Sequence, residues 1–132
     1  MLTHLLIVAA GGALGAMARY GVGVWAQRLV PTAAWPWATL TVNVVGGLLM
    51  GLLAGWLAFR GGAHDETLRL FAAVGVLGGF TTFSAFSLEA ALMIERRQLA
   101  MAGGYVAASV VLSIAALFIG LMVARRAFGA AL

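Results

Sequence analysis

Two phenylalanines and a glutamate follow one another at triplet spacing in the third apolar stretch of this chain: Phe83, Phe86 and Glu89. Residues three apart lie on one face of a helix, so the spacing aligns two rings and one carboxylate. An aromatic ring has a negative face and a positive edge, and ring edges beside amide or hydroxyl donors suit a small desolvated anion. Ring edges beside such donors would fit an anion path, and a cation pore lined by carboxylates would look different. Phenylalanine is also ordinary lipid-facing filler, so this stripe alone leaves both interpretations open.

Two other apolar stretches carry polar side chains that repeat every four residues. Thr39 and Asn43 share one face of the second stretch, where Asn43 offers an amide donor. Tyr105, Ser109 and Ser113 form a ladder of hydroxyls across about two helical turns of the fourth. Serine and threonine in such helices often bond their own backbone, so one stripe alone has a structural interpretation. The three stripes together favour a pathway for a small anion.

The third stretch also contains two glycines followed closely by two threonines: Gly78, Gly79, Thr81 and Thr82. Glycine loosens a helix, and threonine hydroxyls compete for backbone bonds, so we expect a break here. A break at membrane depth is tolerated where protein, water or an ion satisfies the freed carbonyls. A monovalent cation held by carbonyl oxygens is one interpretation, and a glycine-softened kink against a neighbouring helix is the other.

The elements that must position these residues are membrane-spanning helices. Of the 132 residues, 64% are hydrophobic and 9% charged, a composition typical of membrane proteins. A span needs about 20 apolar residues. We predict an all-α polytopic membrane protein with one domain over residues 1–132 and spans at residues 5–26, 37–59, 70–92 and 99–123. The first stretch lacks a basic leading region and exceeds a secretory signal in length, so it is expected to remain as a span.

The arginines lie near the span ends, where membrane surfaces explain the net charge of +4 without a nucleic acid partner. With four spans, one side of the membrane carries Arg60, Arg69, Arg125 and Arg126. The other side carries Arg28, Arg96 and Arg97, and also Arg19 if its side chain reaches that surface. Such a small bias predicts insertion in both orientations, which permits an antiparallel two-fold dimer.

Glycines recur on one face of each of the first two spans and allow close approach of helix backbones. They are Gly11, Gly15 and Gly23 in the first span and Gly47, Gly51 and Gly55 in the second. Polar residues deep in a membrane normally face protein or water. Because four helices bury little polar surface among themselves, we expect a partner subunit.

Four segments resemble the Fluc (CrcB-type) fluoride channels: "GGALGAMARY", "TLTVNVVGG", "GVLGGFTTFSAFSLE" and "YVAASVVLS". The resemblance covers all four spans, and the third-span motif is its most specific part. It implies a dual-topology homodimer in the bacterial inner membrane, with two antiparallel pores and a sodium ion buried at the dimer centre. The implied role is passive escape of toxic fluoride from the cytoplasm.

The resemblance also implies the roles of particular residues. Phe83 and Phe86 match the phenylalanines that line the fluoride path, and Asn43 matches the pore asparagine. The remaining pathway positions are Ser109 and Ser113 of the polar track, Tyr105 at its end, Thr39 and Glu89 near the pore, and Arg19 of the vestibule. Gly78 and Thr81 match the residues whose backbone carbonyls bind sodium. The chain departs from the common pattern at Ala85, where many members carry a hydroxyl, and at Phe80, where a smaller aliphatic is common.

Other functions remain open on the sequence alone. A small dual-topology multidrug transporter exchanges protons at a membrane-embedded carboxylate, and Glu89 is the candidate for that task, although it lies toward a span end. A purely structural subunit would explain the glycine faces but not the polar stripes. The sequence contains no cysteine, and no nucleophile has an evident base, so we predict no catalysis. His64 beside Asp65 and Glu66 is typical of a solvated turn rather than a metal site.

Overall fold

The computed structural model describes residues 1–60 and 65–129, and their regular structure is helical. The elements are α1 (Leu2–Leu29), α2 (Trp37–Arg60), α3 (Asp65–Leu68), a π-helical segment (Arg69–Leu77), α4 (Gly78–Phe80), α5 (Phe83–Glu95) and α6 (Leu99–Gly129). Four helical stretches are long and apolar enough to cross a membrane: Leu2–Leu29, Trp37–Arg60, Asp65–Glu95 and Leu99–Gly129. The prediction of an all-helical protein with four membrane-spanning helices is confirmed.

The first span packs along the third, because small residues let their backbones touch. A Cβ atom on Gly15 of α1 would overlap the Val76 carbonyl oxygen, and one on Gly11 would overlap the carbonyl oxygen of Phe71. The stretch of the third span in this contact, Arg69–Leu77, is π-helical, whereas the sequence predicted an ordinary helix. The i→i+5 hydrogen bonding of a π-helix is rare in proteins. Where it occurs, it is often at a functional site.

The second span packs along α6 in the same way. A Cβ on Gly51 would overlap the Leu117 carbonyl oxygen, and one on Gly47 would lie 2.7 Å from the Ser113 carbonyl oxygen. These two glycines, with Gly55, therefore hold α2 and α6 at backbone contact, as their spacing predicts. Gly23 differs from the other predicted glycines, because a Cβ there would have nothing within 4 Å.

Two residues with extended backbone, Thr81 and Thr82, separate α4 from α5. Thr81 has φ −82° and ψ 159°, and Thr82 has φ −151° and ψ 121°. The Thr82 hydroxyl accepts a hydrogen bond from the backbone N–H of Ala85, which caps the first turn of α5. Gly46 of α2 lies against this pair, since a Cβ there would overlap the Thr81 methyl group. The extended pair therefore lies beside Gly46 of α2.

A hydrophobic core lies between α2, α5 and α6 near the start of α2. Its buried members are Leu40, Phe86, Ala90, Met93, Ala102 and Tyr105. Trp35, in the connector before α2, packs against this cluster. The core therefore fixes α5 against α6 directly beside the polar residues that the sequence singles out.

Candidate functional site

An open cavity of about 420 Å³ lies between α2, the extended pair and α6, and we call it the larger cavity. Five of the predicted pathway side chains line it: Asn43, Phe83, Phe86, Ser109 and Ser113. They come from α2, α5 and α6, so three separate helices supply one concave surface. Most of the remaining wall is apolar. The fold thereby gathers the three polar stripes, which are far apart in sequence, around a single space.

Ser109 and Ser113 are the polar groups of the larger cavity that lack partners. Their hydroxyl oxygens are buried and have no hydrogen-bond partner within the described residues. By contrast, the Ser87 hydroxyl donates to the Phe83 carbonyl oxygen at 2.9 Å, the usual bond of a serine to its own helix. A buried hydroxyl without a partner costs about 1–3 kcal/mol. The α6 ladder is therefore chemically unsatisfied in the protein alone and can receive a ligand from the cavity.

Asn43 exchanges two hydrogen bonds with the backbone of Thr82. Its amide nitrogen donates to the Thr82 carbonyl oxygen at 2.9 Å, and its amide oxygen accepts from the Thr82 N–H at 2.8 Å. This pairing ties α2 to the extended residues. An amide nitrogen carries two hydrogens, and this pair uses one of them. Asn43 is therefore both a structural clamp and a potential donor at the wall of the larger cavity.

The Asn43 pairing also changes the bonding of two carbonyls in the third span. In a continuous helix the N–H of Thr82 would donate to the Gly78 carbonyl, but here it donates to Asn43. The N–H of Ala85, which would donate to the Thr81 carbonyl, donates to the Thr82 hydroxyl. Each of these carbonyls has lost its ordinary helical donor. Gly78 is also exposed on the surface of the single chain.

A row of aromatic rings leads away from the larger cavity. The Phe83 and Phe86 ring centroids lie 5.6 Å apart, and those of Phe86 and Tyr105 lie 5.2 Å apart. Trp35 meets Tyr105 edge to face at 5.7 Å. Phe83 is 78% exposed in the single chain, whereas Tyr105 is fully buried. The row therefore runs from an open surface into the core.

Glu89 lies at the buried end of this row and accepts two hydrogen bonds. The Thr39 hydroxyl donates to Glu89 Oε1 at 2.7 Å, and the Tyr105 hydroxyl donates to Glu89 Oε2 at 2.6 Å. These three predicted residues thus form one polar cluster from α2, α5 and α6. Tyr105 donates to this carboxylate, whereas Ser109 and Ser113 line the larger cavity, so the predicted hydroxyl ladder of α6 divides into two parts.

A smaller cavity of about 200 Å³ adjoins this cluster, and Glu89 is one of its lining residues. Its other polar walls are Trp35 before α2 and the turn after α5, which contributes Arg96 and Gln98. Glu89 is therefore reachable from a space that opens at the end of the molecule where α5 ends and α6 begins.

Two other predicted residues, Arg19 and Gly78, lie outside both cavities, whereas Thr81 lines the larger one. Arg19 is partly exposed on α1. His64 lies outside the described residues. Across the described part of the chain, no cluster of three metal-ligating side chains occurs.

The sequence reasoning missed the two roles of Thr82 and the position of Trp35. A threonine three residues before Ala85, just ahead of an apolar run, is a helix N-cap signal that could have marked the first turn of α5. The pairing of Thr82 with Asn43 joins residues 39 positions apart, and no local pattern predicts it. The position of the Trp35 indole likewise depends on the path that the connector before α2 takes in the folded protein.

Four helices apolar and long enough to cross a membrane, three of which line a partly polar cavity, define this chain as a multi-pass helical membrane protein. Residues 6–121 match the model of the family described as CrcB-like protein, Camphor Resistance (CrcB), and the chain belongs to this family. The family resemblance seen in the sequence is thereby confirmed.

Relatives support the same assignment over almost the whole chain. A Caulobacter protein named fluoride-specific ion channel FluC is 64% identical over 127 residues, which cover 96% of this chain and 98% of that protein. Proteins of the same name from Phenylobacterium zucineum and Hyphomonas neptunium are 60% and 56% identical, covering 94% and 93% of this chain and 97% and 96% of their own lengths.

Proposed function

We propose that this chain is a fluoride-selective channel of the bacterial inner membrane that lets fluoride leave the cytoplasm passively and so lowers its toxicity. Support comes from relatives named fluoride-specific ion channel FluC, which match nearly the full length of this chain. The observation that carries the proposal within the molecule is the pair of buried, partnerless hydroxyls at Ser109 and Ser113 beside the phenylalanines of the larger cavity. Such a protein conducts an ion without chemical conversion and is not an enzyme.

Fluoride must lose water to enter this pathway, and the cavity offers substitutes for that water. Stripping an ion of water without replacement costs tens of kcal/mol in an apolar medium. The hydroxyls of Ser109 and Ser113 and the second amide hydrogen of Asn43 are donors of the required kind. The positive ring edges of Phe83 and Phe86 supply weaker attraction. Conduction also requires that the protein replace this water imperfectly, because an ion that the pathway bound too tightly would not leave.

The aromatic row and the Glu89 cluster give the proposed path a direction. An anion in the larger cavity would pass Phe83 and Phe86 and then meet the hydroxyls of Tyr105 and Thr39. Both hydroxyls donate to Glu89, so they can rotate between the carboxylate and a passing anion. Arg19, on α1, would contribute positive potential at a vestibule, as the family resemblance implies.

A second copy in the opposite orientation would complete the pathway. The larger cavity is open on one side, and its rim includes Phe83, Val110 and Ile114, all exposed in the single chain. An antiparallel two-fold partner would cover this rim and create two equivalent pores. The near balance of arginines between the two membrane sides supports insertion in both orientations.

The carbonyls of Gly78 and Thr81 fit a structural sodium ion at the centre of that dimer. Hard monovalent cations take oxygen ligands, and both carbonyls have lost their helical donors to Asn43 and Thr82. A two-fold axis would double the two oxygens of each chain. The ion would supply fixed positive charge near the pores and a link between the subunits.

The alternative of a proton-coupled multidrug transporter has less support. Glu89 is its required carboxylate, and both oxygens of that group accept hydrogen bonds from neighbouring hydroxyls. The described residues that line the larger cavity include amide and hydroxyl donors and no carboxylate, which suits an anion better than a cationic drug. Only the channel proposal accounts for the partnerless serines.

Ion efflux from liposomes that contain the purified protein tests the proposal. A fluoride electrode should record rapid loss of internal fluoride, and a chloride electrode should record negligible loss of chloride. The efflux should need no proton gradient, which separates a channel from an exchanger. Absence of fluoride efflux from a verified dimer would overturn the proposal.

A further inference from the structure

The smaller cavity borders the proposed fluoride path, but the path described above does not include it. It is bounded by the connector before α2 and by the turn between α5 and α6. Glu89 lines it, and the Tyr105 hydroxyl bonded to Glu89 belongs to the ring that contacts Phe86 in the larger cavity. The Phe86, Tyr105 and Glu89 side chains are thus the partition between the two cavities. An anion that passed this partition would come next to Glu89, which lines the smaller cavity.

The turn after α5 positions one of two adjacent arginines at this cavity. Arg97 adopts a left-handed conformation with φ 59°, and its N–H donates to the Ile94 carbonyl at 2.9 Å. The Gln98 N–H donates to the Met93 carbonyl at 2.9 Å, which completes a Schellman-type cap. This fixed turn brings Arg96 and Gln98 to the cavity wall, whereas Arg97 is not among the lining residues.

The smaller cavity is lined by residues of opposite charge, Glu89 and Arg96. A carboxylate at Glu89 repels an approaching anion, and the repulsion is strong in a recess with low-dielectric walls. Arg96 is the cationic residue among the described residues that line the cavity, so its positive charge would offset that of Glu89 for an anion in this space. The cavity also contains an unused donor, because the buried Trp35 indole N–H has no partner in the described part of the chain.

We propose that the smaller cavity is the vestibule through which fluoride reaches or leaves the Glu89 cluster, and that Arg96 concentrates fluoride in it. This inference rests on the proposed channel function. Arg96 acts at a distance from the narrow part of the path, so it governs entry of the anion and its supply, not the selection of fluoride over chloride. Its contribution is electrostatic and is therefore sensitive to ionic strength.

Fluoride efflux from liposomes with Arg96→Gln protein tests the vestibule, with Arg97→Gln as the matched control. The two variants remove the same charge from adjacent positions, only one of which lines the cavity. Measurements at about 10 mM and about 1 M ionic strength, adjusted with an impermeant salt, compare Debye lengths of about 30 and 3 Å. Arg96→Lys retains the charge and should retain the rate.

We expect Arg96→Gln to lower the efflux rate about two- to fivefold at low ionic strength, with little difference at high ionic strength. Arg97→Gln should equal the wild type under both conditions. Equal rates for Arg96→Gln and wild type at low ionic strength would overturn the vestibule. So would equal losses in both variants, or a loss that persists in high salt. A wild-type protein that passes no fluoride would instead overturn the channel function itself.

Discussion

Asn43 and Thr82 hold α2 to the extended residues of the third span by two reciprocal hydrogen bonds of 2.9 and 2.8 Å. The pairing satisfies both backbone polar groups of Thr82, which a helix would otherwise satisfy. It also diverts the N–H that would have bonded Gly78. The Asn43 amide therefore allows Thr82 to adopt an extended backbone within the third span. The same side chain lines the larger cavity.

Asn43→Asp should destabilise the protein, because the exchange replaces the donating amide nitrogen with an oxygen that faces the Thr82 carbonyl. The expected loss is about 1–3 kcal/mol for an unsatisfied buried group, and fluoride efflux should also fall. Thermal unfolding in detergent and liposome efflux measure the two effects. Gln27→Glu, the same chemical change at an exposed position of α1, is the control. Wild-type stability of Asn43→Asp would show that the reciprocal pair does not support the extended residues.

Phe83→Ala should lower fluoride efflux about tenfold, which corresponds to about 1.4 kcal/mol on the transport barrier. The proposed dimer should persist on size-exclusion chromatography, because Phe83 is one of several exposed rim residues that the partner would cover. Phe118→Ala removes a similarly exposed ring from α6 that lies outside the larger cavity, and it should leave the rate unchanged. A full rate for Phe83→Ala would remove this ring from the proposed path.

Replacement of sodium by N-methylglucamine should weaken the dimer if the Gly78 and Thr81 carbonyls bind the cation. Without it, carbonyl oxygens that have lost their helical donors would face one another across the two-fold axis. The melting temperature and the dimer fraction should therefore both fall at constant ionic strength. The sodium proposal would be contradicted by an unchanged melting profile together with a crystal structure, from crystals grown in sodium, that shows no cation density.

The sequence predicts the parts of this fold that depend on local periodicity. The four-residue repeats of Gly47 and Gly51 correctly anticipate backbone contact, because residues four apart share a helix face. The same reasoning places Ser109 and Ser113 on one face, and both line the larger cavity. At Gly23, by contrast, a Cβ would meet nothing within 4 Å, which the glycine spacing of α1 does not reveal.

The remaining features arise from contacts between distant segments. The π-helical turns of Arg69–Leu77 accompany close packing against α1, and their sequence reads as an ordinary apolar helix. Tyr105 shares the spacing of the serines but bonds Glu89, 16 residues away, because the turn after α5 folds the two helices together. Trp35 reaches Tyr105 through a connector whose path no periodic pattern encodes.

The most direct test of the central claim compares fluoride efflux from liposomes for the wild type, the double variant Ser109→Ala with Ser113→Ala, and Ser87→Ala. Ser87 is the matched control, since its hydroxyl bonds its own helix and lies outside the larger cavity. The loss of two donors to a charged ion should slow efflux by about a hundredfold, while Ser87→Ala stays at the wild-type rate. A wild-type rate in the double variant, with the dimer intact, would contradict the proposal that fluoride passes along the buried hydroxyls of α6.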